Sequence, residues 1–251
     1  MLCYNQRAER GGFSIRIRSL PALVLALCVL SSMAFAQEGL HGYTAEQGHQ
    51  YLLFGGYPQE ERGEAKPIVW KVLGVQDGLA YLMSEKILDV RRVSGDQWNY
   101  KGWESSELYA WLNEDFLQAA FSMEELKALH GDEILGFVSL PSVEDLQSKA
   151  LGFGTDLSRR IYGTPYALTQ RGLYSYSSRG YSPIWTRTPS QQTHAQRATK
   201  INGKIGFIGV ESDDLGVCPV VWLKLDSVGV IDGDGSQAAP YILQAQEGKQ
   251  P

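Results

Sequence analysis

Cysteine is scarce in this chain: three residues in 251, and two of them, Cys3 and Cys28, fall within the first 36. If that segment is removed, Cys218 stands alone, so neither an internal disulfide nor a reactive thiol pair is available. Histidines at short spacing are also missing. His41, His49, His130 and His194 are scattered, no His-Glu-x-x-His occurs, and a zinc site is not expected. There is no Gly-x-Ser-x-Gly elbow, phosphate-binding glycine loop or dinucleotide fingerprint. A hydrolase built on a carboxylate pair leaves no local signature and stays open as an alternative. Basic charge is in deficit as well, with 23 Lys and Arg against 28 Asp and Glu, a net charge of −5. Finally, no apolar run is long enough to span a bilayer. Leu20 to Ala36 covers only 17 residues, broken by Ser31 and Ser32, where a spanning helix needs roughly 20.

What that front segment does carry is an export signal. Arg7, Arg10, Arg16 and Arg18 lead into the apolar stretch Leu20 to Leu30, and Ala34-Phe35-Ala36 puts small residues at −3 and −1 before Gln37. The sequence therefore predicts a signal peptide over 1–36 and a secreted or periplasmic mature chain over 37–251, with no membrane span after cleavage. Lipid attachment at Cys28 is not favoured, because Leu27 stands where a small residue usually precedes the modified cysteine. Residues 1–36 hold four of the basic and one of the acidic residues, leaving 19 against 27 and a net charge of −8. Such a chain repels nucleic acid and anionic lipid surfaces. Its length suits one domain able to bury roughly 70% of its unfolded surface.

Periodicity places strands at Tyr51–Phe54 and Pro67–Val75, with Gln76-Asp77-Gly78 turning into a third over Leu79–Met83. Leu108, Trp111 and Leu112 recur at helical spacing behind Ser105 or Ser106 as N-cap. Ser122-Met123-Glu124-Glu125 opens a second helix as a capping box, and Ser142-Val143-Glu144-Asp145 caps a third, after a short strand at Phe137–Leu140. From Gly152 to Pro189 glycine, serine, tyrosine and arginine dominate without a period, which predicts long loops. Five tyrosines between Tyr162 and Tyr181 argue that these loops are ordered. Strands return at Lys204–Val210 after Asn202-Gly203, at Val217–Leu225, and near Tyr241–Leu243 after Asp232-Gly233-Asp234-Gly235. The tail from Gln244 is expected to fray. Helices in the middle and strands at both ends give an α+β fold with one mainly antiparallel sheet. Cys218, within Val217-Cys218-Pro219-Val220-Val221-Trp222, is expected to be a buried small hydrophobe.

The order of several landmarks carries a resemblance. Phe54-Gly55 with Tyr57, Ile68-Val69-Trp70-Lys71-Val72-Leu73, Trp103-Glu104-Ser105-Ser106, Trp111-Leu112-Asn113 with Phe116, and Ala120-Phe121-Ser122 come first. Ile184-Trp185-Thr186-Arg187-Thr188-Pro189, Gly216-Val217-Cys218-Pro219 and Gly233-Asp234-Gly235-Ser236 with Pro240-Tyr241 follow. Together they resemble the bacterial domain of unknown function six-two-seven-three over about Tyr51 to Leu243. That family is in turn similar to the C-type-lectin-like fold shared with formylglycine-generating sulfatase-modifying enzymes. The resemblance implies a C-type-lectin-like architecture with long ordered loops. The chain departs from the family in having Ile184-Trp185-Thr186-Arg187-Thr188-Pro189 where Trp-Trp-Leu-Arg-Ser-Pro is usual, and Cys218 where arginine is usual. Formylglycine generation needs cysteine chemistry that one thiol cannot supply. The Glu-Pro-Asn, Gln-Pro-Asp and Trp-Asn-Asp motifs of calcium-dependent sugar binding are missing too, Trp98-Asn99-Tyr100 being a misplaced partial match.

The remaining candidates are aromatic and cationic loop residues: Trp98, Tyr100, Tyr174, Tyr176, Arg179, Tyr181, Trp185 and Arg187. Aromatic faces stack on sugars or peptide side chains, and arginine offers a fork for carboxylates or sulfates. These residues predict a binding module for an envelope glycan or protein. For Trp185 and Arg187 the competing expectation is structural, with the ring in the core and the guanidinium paired to an aspartate. No cofactor is required. Calcium has weak candidates in Asp213 and Asp214 beside Glu211, and in Asp232 and Asp234 with Ser236, the second group reading first as an aspartate turn. A structural envelope component without a small ligand is a third reading.

Overall fold

A computed structural model describes residues 36–40, 43, 48–175, 180–192 and 194–246. The export-signal and Cys28 readings lie almost entirely outside these residues, as do Tyr176 and Arg179. After a short helical turn over residues 36–40, three strands follow: β1 (Tyr51–Pro58), β2 (Ala65–Gln76) and β3 (Leu79–Ser84). The β2–β3 turn has Asp77 and Gly78 both at positive φ, 52° and 76°, the geometry that matches strand twist in a two-residue hairpin. After β4 (Asp89–Val90) the chain turns helical in α1 (Glu107–Trp111). A π turn over Leu112–Phe116 links α1 to α2 (Leu117–Ala120), and α3 (Met123–Ala128) follows. Ser106 caps α1 by accepting from the Tyr109 amide, and Ser122 and Glu125 form a reciprocal capping box on α3.

Short strands β5 (Leu129–His130) and β6 (Val138–Ser139) lead to α4 (Val143–Gln147), whose Ser142 and Asp145 form a second capping box. The expected long loop region is more structured than its composition suggests. It holds β7 (Ile161–Tyr162), α5 (Pro165–Thr169), β8 (Tyr181–Ser182) and β9 (Trp185–Pro189). Its anchor is Arg159, which is buried. The Arg159 side chain donates to the carbonyls of Gly203 at 2.7 Å, Phe153 at 2.9 Å and Leu146 at 3.1 Å, and pairs with Asp156. Next come β10 (Ala195–Thr199), β11 (Ile205–Gly209), β12 (Gly216–Val217), β13 (Val220–Lys224), β14 (Val228–Asp232) and β15 (Tyr241–Ala245). The sequence reading missed β10 and β14, and it let the chain fray from Gln244, which instead pairs with Gly229.

The main sheet runs β14-β15-β1-β2-β3-β13-β5, with β6 also on β13. Its pairs are antiparallel except β1 with β15, which run parallel and set strands from the two ends of the described chain side by side. A three-stranded antiparallel sheet, β9-β10-β11, and the pairs β4–β12 and β7–β8 complete the strands. The expected mixed, mainly antiparallel arrangement is present, but among the described residues the strands divide into four sheets rather than one. Alternation along the strands divides the interior in two. Ala80 and Leu82 of β3, with Val221 and Leu223 of β13, join Trp70, Phe116 and Trp185 in the larger core, against which α1 to α3 pack. Tyr81, Met83 and Val220 join Leu73, Phe153 and Cys218 in the smaller one, with Leu146 of α4 and Ala167 of α5. Cys218 is fully buried, and burial pushes its thiol up to about 12.

Candidate functional site

The six predicted recognition residues that lie among the described residues do not converge. Trp98 is 77% exposed at a loop tip, edge-on to the His194 ring at 4.5 Å. Tyr174 is exposed as well. The half-buried Tyr100 donates its hydroxyl to Gln196 Oε1 at 2.6 Å. Two expectations need correction, because Tyr181 and Trp185 are buried and offer no face to a ligand. Trp185 lies at 0% exposure and donates Nε1–H to the Arg91 carbonyl at 2.7 Å, as its structural reading had it. A ring that large gains more from leaving water than from waiting at the surface.

Arg187 does line a cavity. Its guanidinium meets Asp145, Nη2 to Oδ2, at 3.2 Å, and donates from Nη1 to the Leu140 carbonyl at 2.5 Å. This is the aspartate partner the sequence predicted without naming. The same Asp145 oxygen accepts the Tyr81 hydroxyl at 2.8 Å and the Ser142 amide at 2.7 Å. Burial, and then the Asp145 charge, raise the Tyr81 phenol above its ordinary value. It therefore stays a donor. Tyr81 and Trp222 sit opposite each other in the β3–β13 register, and their rings stack at 4.5 Å and 20°.

The cavity above this floor measures about 280 Å³, with Tyr81, Trp222 and Phe137 as aromatic walls and Asp145, Arg187 and Ser139 as polar groups. Ser139 is 5% exposed, and its hydroxyl has no hydrogen-bond partner among the described residues. An enclosed hydroxyl without a partner is costly unless something else meets it. The outer wall, the loop after β5, is held by Asn113. Its Oδ1 accepts from the Phe137 and Val138 amides at 2.9 and 3.1 Å, and its Nδ2 donates to the Val138 and Tyr109 carbonyls. Gly136 permits this closeness: it lies at φ 75°, and a Cβ there would stand 2.3 Å from Asn113 Oδ1. Of the site only Arg187 was singled out from sequence. Tyr81 and Trp222 carried one usable signal, as aromatic residues within two predicted strands, but their pairing comes from the observed register.

The inward oxygen of Asp145 already receives three donors. The pocket holds no second carboxylate. Three of the four weak calcium candidates accept local hydrogen bonds, while Asp213 stands exposed. Asp214 accepts from Ser212 Oγ, Asp232 from the Gly233 amide and Asp234 from the Ser236 amide. The Ser236 hydroxyl, and then its amide, lower the Asp234 carboxyl below its ordinary range. Among the described residues no three His, Cys, Asp or Glu side chains gather as a metal site, and no helix is long and apolar enough to cross a membrane. No protein-family model matches the chain, and neither do curated proteins or solved structures.

Proposed function

We propose that this chain is an exported binding module, secreted or periplasmic, that holds one sugar ring of an envelope glycan in the Tyr81–Trp222 pocket. The carrying observation is the combination of an aromatic stack, a fixed ion pair and the unpartnered Ser139 hydroxyl around one small cavity. Sugar recognition needs this mixture: an apolar face against the ring's C–H bonds, and donors and acceptors held rigid for its hydroxyls. At about 280 Å³ the cavity falls just below the roughly 300–1,000 Å³ of sites for drug-sized ligands, which suits a single ring. Asp145 and Arg187 neutralise one another, which favours a neutral ligand over a charged one.

In this reading the domain is C-type-lectin-like and related to domain six-two-seven-three. Two features support the relation. The landmark residues Trp70, Trp111, Phe121, Trp185 and Tyr241 all serve the core, and the landmark Asn113 holds the pocket wall. The carboxylate-pair hydrolase draws no support from this pocket, where the one carboxylate is already engaged. Trp98 is available as a separate contact for a longer glycan.

Calorimetric titration of the purified protein with a panel of neutral monosaccharides tests the proposal. Binding should vanish in Trp222→Ala, and Ser139→Ala should weaken it about fivefold, the loss of one hydrogen bond. Failure of every sugar to bind, or undiminished binding by Trp222→Ala, rejects it.

A further inference from the structure

A second cavity, of about 390 Å³, opens where α1 faces the segment after β4, and three arginines line it: Arg91, Arg92 and Arg171. Two already have carboxylate partners. Arg171 Nε donates to Asp89 Oδ1 at 2.6 Å, and Arg92 Nε to Glu107 Oε2 at 3.3 Å. Asp89 is 1% exposed and also accepts the Tyr57 hydroxyl at 2.6 Å. It is a buried counter-ion, fully used from behind the cleft.

Arg91 differs from both. Its guanidinium lies over the Trp111 ring, 4.3 Å from the centroid, and Nε stands 3.9 Å from Asp89, too far for a hydrogen bond. Nε is enclosed without a hydrogen-bond partner among the described residues, while the side chain as a whole stays 37% exposed towards the cleft. Its backbone is fixed on both sides: the amide donates to Leu215 at 3.4 Å, and the carbonyl accepts Trp185 Nε1–H. An arginine head fixed against tryptophan, with its donor fork free, is preorganised for a planar or tetrahedral oxyanion. The local charges agree. Asp89 offsets one of the Arg91–Arg171 pair and Glu107 offsets Arg92, so one positive charge remains over at Arg91. Among the described residues that line the cavity, the exposed Asp213 at the rim is the one carboxylate left to oppose it.

We infer that this cleft binds the oxyanion group of a small ligand, a carboxylate, sulfate or phosphate, with Arg91 as principal donor, Arg171 beside it and Asp213 setting the affinity. The site is independent of the sugar pocket and stands or falls separately. Its test is thermal unfolding of the full chain at constant ionic strength in chloride, acetate, malonate, sulfate or phosphate. Sulfate and phosphate stabilise folded proteins generally by exclusion, so the reading that counts is the midpoint gain over chloride in the wild type minus that in Arg91→Gln. At least one oxyanion should give a gain that Arg91→Gln loses and Asp213→Asn enlarges. A gain from malonate or acetate identifies a carboxylate site, and one from sulfate or phosphate a tetrahedral site. Should Arg91→Gln not fold, Arg91→Lys keeps the cation and removes the fork, and its gain should still fall. Equal gains in wild type and variant for all the anions overturn the inference.

Discussion

Arg187 and Asp145 stand 3.2 Å apart at the floor of the pocket, and the two partners are unequally provided for. If Arg187 is removed, Asp145 keeps the Tyr81 hydroxyl and the Ser142 amide. If Asp145 is removed, Arg187 keeps the Leu140 carbonyl, and α4 loses half of its capping box. Breaking a buried pair costs roughly 3–5 kcal/mol, and side-chain exposures of 20% and 17% bring these two below that range. Urea unfolding should give a loss of about 2 kcal/mol for Arg187→Ala and about 3 kcal/mol for Asp145→Ala, the cap adding to the second. The double variant should cost less than the sum, because each change removes the same contact. Equal single losses would contradict the asymmetry.

His49 predicts a pH effect. Burial, and then the Lys71 charge, lower its imidazole below 6.5, with a bond to the Val72 carbonyl opposing them. The neutral ring is the native form, so as pH falls through 6.5 the unfolded chain takes up a proton that the folded chain resists. Stability is therefore fully present above 6.5 and declines from there towards the lowered folded value. This window opens at 6.5, whereas that of Asp96, Asp132 and Asp234, whose carboxyls are lowered by local hydrogen bonds, opens at 3.8. Midpoints of urea unfolding measured across mildly acidic pH should slope for the wild type and flatten for His49→Gln.

Cys218 should be silent until the protein opens. With burial holding its thiol at about 12, and with Ser84 the nearest polar neighbour, no thiolate forms near neutral pH. In the 37–251 chain, which lacks Cys3 and Cys28, a disulfide reagent should leave native Cys218 untouched and react with it fully in denaturant. Modification of the native state should proceed no faster than unfolding allows. Prompt labelling under native conditions would mean that the smaller core is not closed.

These residues also mark how far the sequence could be read. Turns and caps were legible because their chemistry is local: Asp77-Gly78 needs only two positive φ values, and Ser122 finds Glu125 three residues on. The buried character of Cys218 was legible from its apolar neighbours. Strand β10 was not, because Ala195-Gln196-Arg197-Ala198-Thr199 has no aliphatic alternation. It is central only because β9 and β11 flank it, and Gln196 is tolerated inside because Tyr100 and the Thr186 carbonyl satisfy its amide. The pocket was hidden for the same reason. Tyr81 meets Trp222 through strand pairing between distant parts of the chain, which local pattern cannot supply. Aromatic composition marked Trp98 and Trp185 alike, but only packing separates a ring at 77% exposure from one at 0%.

The ordered segment after α4 depends on Gly203 in a way that a control glycine can isolate. Gly203 lies at φ 85°, its carbonyl accepts Arg159 Nε, and a Cβ would stand 1.8 Å from the Asp156 carbonyl oxygen. Gly78 has a similar φ of 76°, but a Cβ there meets nothing within 4 Å. Gly78→Ala should cost only the left-handed backbone penalty, about 1 kcal/mol. Gly203→Ala adds a collision of backbone with backbone, which no side-chain rotation relieves, and should cost about 3 kcal/mol or more. It should also withdraw the carbonyl that fixes Arg159, so amide exchange should quicken across residues 152–160 while the β1–β2–β3 sheet stays protected. A uniform loss of protection in both regions would mean that this segment unfolds with the sheet rather than being pinned to it through Arg159.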